Sequence, residues 1–283
     1  MPKIQRVLPT AGAILWQLCR DRSGNLESLI GRRRGQRLEP GQQLGNGCKM
    51  RQIIRAACGL WLGLAGAALA QSGPVVVELY TSQGCSSCPP ADALLADLAA
   101  IPEVMPLALH VDYWDYIGWK DRFAQPHFTD RQKAYARAAR SRMIYTPQMI
   151  VGGVTQVEGT DAAAVMAAIA RQPEATGFSL TARRQGDSIA IRAEGPNQQL
   201  DLPEGLKLQL VNYLPSETVA IEHGENAGHV VEYRNIVTSW SLIGEWDGAA
   251  PLALEARAPG DGPAVVILQY PGPGPILATA RVE

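Results

Sequence analysis

Apolar and polar positions change rhythm along this chain, and each change predicts a different kind of element. Pro74-Val75-Val76-Val77-Glu78-Leu79-Tyr80-Thr81 is a β-branched apolar run, short enough for a buried strand. Ser82-Gln83-Gly84 breaks it. After Cys85-Ser86-Ser87-Cys88-Pro89-Pro90, apolar residues recur at 91, 94, 95 and 98, the spacing of one helix face. Proline suits the first helical turn, because it has no amide proton to leave unpaired. Val104 to Val111 predicts a second strand, and the polar, aromatic stretch His110 to Asp121 predicts a loop. Thr129 reads as the cap of a second helix, with Gln132 as its capping-box partner. Tyr135, Ala138, Ala139 and Ile144 then share a face, while Arg131, Lys133, Arg137 and Arg140 read as solvated. Thr146-Pro147 leads into a strand, Gly152-Gly153 turns the chain into another, and Asp161 to Ala170 reads as an Ala-rich helix.

After Pro173 the period drops to two. Residues 178–182, 188–193, 206–211, 251–256 and 264–269 alternate apolar and polar, separated by turns such as Gln185-Gly186-Asp187 and Pro259-Gly260-Asp261-Gly262. Short alternating strands predict an antiparallel sheet or small sandwich. His223, Glu225, Asn226 and His229 fall in a long segment between strands and read as a solvated loop. The expected division is a domain over 73–172 and a β-rich one over 176–283.

The start of the chain reads differently. Lys49, Arg51 and Arg55 precede an apolar run from Cys58 to Leu69, too short to span a bilayer, and Ala68-Leu69-Ala70 is a small-x-small site. Residues 50–70 thus read as a secretory signal peptide cut after Ala70, which predicts an extracytoplasmic protein, periplasmic or secreted. Residues 1–49 read as an extension from an upstream start codon or as a disordered basic leader. Of 26 Lys/Arg and 27 Asp/Glu, 11 and 3 lie in residues 1–70; the remaining 15 and 24 leave a formal charge of −9. Such an acidic protein repels phosphate backbones, so nucleic acid is not an expected partner. No second long apolar run follows, so no stable membrane insertion is expected after cleavage.

Cleavage also removes Cys19, Cys48 and Cys58, leaving Cys85 and Cys88. One Cys-x-x-Cys pair builds no disulfide framework and no four-sulfur zinc site. Its place at a strand-to-helix junction suits redox chemistry, since a helix N-terminus carries partial positive charge that stabilises a thiolate. The thiolate is the attacking species in disulfide exchange, and a second cysteine one turn later can resolve the mixed disulfide. Catalytic roles are therefore expected for Cys85 and Cys88. Glu78, an acid in an apolar strand, is expected beneath them as a proton relay. A cis Thr146–Pro147 bond would bend the backbone toward the cysteines and leave an edge for a client strand. Thr146, Pro147 and Trp114 are the expected substrate contacts. His110, Asp112 and His127 lack metal-site spacing, and neither a metal nor another cofactor is expected. Protein thiols or disulfides are the expected clients or redox partners.

Strand, Cys-x-x-Cys helix, strand, helix, Thr-Pro strand, strand, helix is an order that resembles the thioredoxin fold. Residues 78–92, His110 to Asp121, Tyr145-Thr146-Pro147-Gln148, and Gly224 to Gly228 with Glu232 to Asn235 resemble the blocks of one bacterial family, domain of unknown function 1223. The resemblance covers roughly residues 74–283. It implies an exported thioredoxin-like protein with an added C-terminal region; with the alternating strands after Pro173, the expected fold is α/β, a thioredoxin-like fold with an added C-terminal antiparallel β-rich, sandwich-like region. Unlike ordinary thioredoxins, the chain has no Trp before Cys85 and carries Ser86-Ser87 between the thiols, a dipeptide that tunes the potential. Two rival readings use the same pair: an extracytoplasmic copper(I) or soft-metal binding protein, and a partner-binding module whose bridge never turns over.

Overall fold

Strand β1 (Val75–Thr81) pairs in parallel with β2 (Val104–His110), from Val75↔Val104 to Thr81↔His110. Parallel neighbours need a crossover, and α1 (Pro89–Leu98) supplies it. Both strands are apolar along their length because both faces are covered. Val77 and Leu79 pack with Ala91, Leu95 and Leu98 of α1. Val76 and Tyr80 point the other way, onto Phe128 and Tyr135 of α2 (Pro126–Ala138). The computed structural model describes residues 72–196 and 205–283. The expected signal peptide and N-terminal extension lie outside the described residues.

Strand β3 (Gln148–Val151) runs antiparallel to β1, and β4 (Thr155–Glu158) antiparallel to β3. Helix α3 (Ala162–Ala170) returns to the α1 face, burying Val165 and Ala168. Asp161 caps it, accepting a hydrogen bond from Ala164 N at 2.9 Å.

The later strands extend the same sheet. These are β7 (Leu206–Ala220), β8 (Val230–Trp246), β10 (Ala264–Gln269) and β11 (Ile276–Arg281), giving the order β11-β10-β7-β8-β2-β1-β3-β4. The join is β8 against β2, parallel at Ala108↔Ile236. Strands β5 (Ser179–Gln185), β6 (Ser188–Glu194) and β9 (Leu252–Arg257) form a second, three-stranded antiparallel sheet. Its Leu180, Ile189 and Ile191 pack on Leu208, Val266 and Leu268 of the large sheet, the sheet-on-sheet contact expected of the C-terminal region. Each such side chain contributes roughly 1.5–3 kcal/mol over remaining exposed. The molecule is thus a mixed α/β protein with one large, mainly β sheet and few helices. All described residues fall in one compact unit, Ala67–Glu283. The change of texture near Pro173 is not a seam in the sheet, which takes strands from both sides of it.

Three expectations are corrected. The stretch between the expected strands 206–211 and 251–256, read as a long loop, is mostly the rest of β7 and β8, a strand of 17 residues; His223, Glu225, Asn226 and His229 do lie in the short link between them. Thr129 does not cap α2, which begins at Pro126 after Gln125; its hydroxyl donates to Asp112 Oδ1 at 2.6 Å. Gln132 is buried instead of capping: its Nε2 donates to Tyr145 O and to Gln148 Oε1, both at 2.8 Å, tying down both sides of Pro147.

Candidate functional site

The turn after β1 closes with Cys85 N donating to Ser82 O at 3.1 Å and Cys88 N donating to Cys85 O at 3.2 Å. Cys88 is the cap of α1, its carbonyl accepting from the amides of Ala91 and Asp92. The two cysteines form a disulfide with Cα atoms 5.4 Å apart. Both are buried, with Ser86 and Ser87 exposed between them. Pro89 and Pro90 fill the first two helical positions, so two of the free amide donors of a helix N-terminus are missing. The helix dipole remains. Ser87 Oγ, 3.4 Å from Cys85 Sγ, adds a hydroxyl beside the first sulfur.

Three expected substrate contacts gather at this disulfide. The Thr146–Pro147 bond is cis. Thr146 O lies 3.5 Å from Ser87 Oγ, and Thr146 Oγ1 accepts from Trp114 Nε1 at 2.7 Å. Pro147 and Ala91 of α1 both crowd Gly159, where an added Cβ would stand 2.9 and 3.1 Å from their Cβ atoms. Trp114 also packs against Gly84, immediately before Cys85. Exposed Tyr116, Met143 and Tyr145 belong to the same two loops.

Glu78 is not brought to the cysteines. It shares the strand parity of Val76 and Tyr80 and faces α2, across the sheet from α1. Its carboxylate accepts from Arg131 Nε (2.7 Å) and Nη2 (2.8 Å), Tyr80 OH (2.9 Å) and Tyr135 OH (2.6 Å). Arg131, expected on a solvated face, is largely buried and stacks over Trp240, 3.8 Å from the ring centre. Burial alone would lower the Arg131 pKa, but Glu78 beside it drives it well above the ordinary value. Burial and the neighbouring Glu78 charge push the Tyr80 hydroxyl far up.

The acid on the cysteine face is Asp92, one helical turn after Cys88. Residues four apart on a helix face one another. Burial raises the Asp92 carboxyl to about 7, opposed by His110 and Thr81 and assisted by Asp121. Thr81 Oγ1 faces it without a partner at full hydrogen-bonding geometry. Behind stands His110, its Nδ1 2.6 Å from Asp121 Oδ2 and its Nε2 without a partner. Burial would raise Asp121, yet His110 and amide donors from Gln83 and Phe123 outweigh it and hold the carboxylate low. Phe123 and Tyr233 pack edge-on to the imidazole. Thr81, Asp92, His110 and Asp121 are all buried.

The β7–β8 connection also reaches the site. Asn226 Nδ2 donates to Gln83 O and Cys85 O, both at 2.9 Å. Trp119 Nε1 donates to Gln83 Oε1 at 2.8 Å, and the Trp119 and His223 rings lie 6.3 Å apart.

A family model described as a protein of unknown function, DUF1223, matches residues 76–269. The chain belongs to this family. A solved structure of an Agrobacterium tumefaciens protein from a structural genomics programme is similar at 30% identity, covering 75% of this chain and 95% of that one, with a TM-score of 0.62. The structure of HBP35 from Porphyromonas gingivalis is similar at 12% identity over 74% of each chain, with a TM-score of 0.52, a likeness of fold alone. A search of curated proteins gives no match.

In this DUF1223 chain, Asn226 bonds the Cys85 carbonyl, and Asp92, one helical turn after Cys88, lies in a buried cluster with His110 and Asp121, although sequence reasoning assigned none of the four a role beside the cysteines. Asp92 carried a usable signal: an acid four residues after Cys88 on the apolar stripe of α1. Asn226 carried none, because its partner Cys85 is 141 residues away. His110, Asp112 and His127 do not converge, and among the described residues no group of three or more His, Cys, Asp or Glu could hold a metal. Nor is any described helix long and apolar enough to cross a membrane.

Proposed function

We propose that this DUF1223 protein is an extracytoplasmic thiol–disulfide oxidoreductase built on a thioredoxin-like unit, residues 73–172. The unit is supported by the order β2-β1-β3-β4, with β1 and β2 parallel, β3 and β4 antiparallel, and helices on both faces. The observation that carries the reading is the Cys85–Cys88 disulfide at the start of α1, with Pro147, Thr146 and Trp114 beside it.

Starting from the dithiol, Cys85 thiolate attacks one sulfur of a client disulfide, and a client thiolate leaves. Cys88 then gives its proton to the Asp92 carboxylate, attacks Cys85 Sγ in the mixed disulfide, and releases the second client thiolate. Two electrons pass to the client and the disulfide seen here results. Run backward, the same steps oxidise a client dithiol. Asp92 takes the relay role because a carboxyl near neutral pKa exchanges protons readily at working pH. His110 and Asp121 set its charge environment. Residues 50–70 serve as the export signal in this reading, which predicts an exported protein beginning near Gln71 by N-terminal sequencing.

The deciding experiment is equilibration of the purified protein with glutathione buffers. A reduction potential between roughly −120 and −270 mV, the span of known exchange proteins, supports a catalytic pair. A bridge that resists reduction below about −300 mV is a structural staple and overturns the reading.

A further inference from the structure

The link between residues 220 and 230 is exposed from Glu222 to Val230 apart from half-buried Gly224 and one fully buried residue, Asn226. The loop is shaped to present it. Gly224 and Gly228 bracket it at φ +80° and +85°, conformations glycine adopts without cost. Gly228 N donates to Ile221 O at 2.8 Å, Ile221 N to His229 O at 2.9 Å, and His229 N to Asn226 O at 3.1 Å. The base of the loop is held by Val219, Ile221, Tyr233 and Ile236, packed with Trp119 and Phe123. An asparagine at the centre of an otherwise solvated loop is held there for what its amide reaches.

It reaches the backbone of the redox turn. Cys85 O already accepts from Cys88 N, the bond that closes the turn onto α1; Asn226 Nδ2 is its second donor, and Gln83 O is the other acceptor of the same nitrogen. The carbonyl oxygens on either side of Gly84 are thereby both tied to the hairpin loop, which fixes the orientation of their dipoles beside Cys85. With two helix-start amides replaced by Pro89 and Pro90, the field at that sulfur depends more heavily on where these carbonyls point.

We propose that Asn226 is a positioning residue for Cys85: through its side-chain amide the C-terminal hairpin sets the reactivity of the attacking thiolate and the potential of the pair. The proposal rests on Cys85 being the attacking thiol. It makes the C-terminal strands part of the redox site, where the sequence suggested a separate β-rich domain.

The test uses the full chain with Asn226→Asp, which keeps the shape but replaces the donor, and Asn226→Ser, which keeps one shorter donor. Glu225→Gln on the exposed side of the loop is the control. Two quantities are read: the rate of iodoacetamide alkylation of Cys85 in the reduced protein at neutral pH, and the reduction potential in glutathione buffers. Loss of the donor destabilises the thiolate and hence the reduced form. Asn226→Asp is expected to slow alkylation about tenfold and to make the potential more negative by about 30 mV, the equivalent of tenfold for a two-electron couple. Asn226→Ser should shift both in the same direction by less, and Glu225→Gln should shift neither. Should Asn226→Asp not fold, Asn226→Ser carries the test. Parental values for both quantities in any folded Asn226 variant overturn the proposal, as does a less negative potential. A parent protein whose Cys85 is no more reactive than a free cysteine instead overturns the oxidoreductase reading itself.

Discussion

Arg131 grips Glu78 through two nitrogens, Nε on Oε2 at 2.7 Å and Nη2 on Oε1 at 2.8 Å, on the face of the sheet opposite α1. A carboxylate so engaged, and further bonded by two tyrosine hydroxyls, belongs to the architecture of the α2 face. It ties α2 to β1, while Gln269 of β10 completes the network by donating to Tyr135 OH at 2.9 Å.

Glu78→Gln separates structure from chemistry. The substitution keeps the shape but leaves the Arg131 charge largely buried without its counter-ion. Breaking one partner of such a pair costs about 3–5 kcal/mol. Urea denaturation should show a loss of that size, while alkylation of Cys85 in the folded variant stays within about twofold of the parent. A parallel drop in thiol reactivity would mean that Glu78 communicates with the cysteines across the sheet, against the placement found here.

Asp92 makes the opposite prediction. Its folded pKa is raised to about 7 from an ordinary 3.8, so the folded state binds this proton more tightly than the unfolded chain. Stability from this group is therefore complete below pH 4 and is lost as pH rises toward 7, where the full penalty of a buried carboxylate is in place. Asp92→Asn removes the titration. The oxidised variant should match the parent near pH 4 and exceed it progressively up to pH 7, by about 4 kcal/mol at most. Thermal melts across this range check it; a gap that does not widen with pH rules out the raised carboxyl. The same variant should close its own disulfide more slowly at neutral pH, because Cys88 has lost its proton acceptor.

Ser87 tests the local field at the first sulfur. Its hydroxyl is the side-chain group hydrogen-bonded to Cys85 Sγ, at 3.4 Å, and a thiolate there would accept its proton. Hydrogen bonds to charged groups contribute about 1.5–3 kcal/mol, and exposure of Ser87 reduces this. Ser87→Ala is expected to slow Cys85 alkylation at neutral pH by about tenfold or less, with no change in melting temperature beyond about 2 °C. An unchanged alkylation rate would show that the hydroxyl bonds only in the disulfide form.

How far the site was legible in the sequence follows from how local its parts are. The β1 run, the Cys-x-x-Cys turn and the prolines that open α1 are neighbours in the chain, and their periods and breaks placed them correctly. Pro147 and Trp114 were legible from residue type within their loops. Strand β8 was not, because its two-residue alternation is blurred: register shifts opposite Leu208/Gln209 and Asn212/Tyr213 turn its faces, and Thr238, Ser239 and Ser241 interrupt the apolar pattern. The partner of Glu78 was hidden because α2 is oriented by tertiary packing, which buries Arg131 although its helical position looks solvated. Thr129 and Gln132 carried a true capping-box pattern, yet Pro126 starts the helix earlier and frees both side chains for Asp112 and the Pro147 segment.

The two cysteines differ in environment, and that difference predicts an asymmetry in trapping. Both are buried, but Cys85 precedes the helix, next to exposed Ser86 and Ser87 and to the Trp114 and Thr146 loops, whereas Cys88 is the helix cap, one turn from Asp92. A client sulfur can therefore reach Cys85 with local opening of the turn, whereas reaching Cys88 requires unpacking the start of α1. Cys88→Ser leaves a mixed disulfide on Cys85 with no resolving thiol, so the variant should accumulate covalent adducts when incubated with a disulfide-bonded peptide. Cys85→Ser should accumulate few, since a client sulfur reaches Cys88 only when the start of α1 unpacks. Non-reducing electrophoresis followed by mass spectrometry of the adducts reads the ratio. An excess of at least about tenfold for Cys88→Ser is expected. Equal trapping by the two variants would show that the turn opens as a whole and that the position of each cysteine relative to α1 does not set the order of attack.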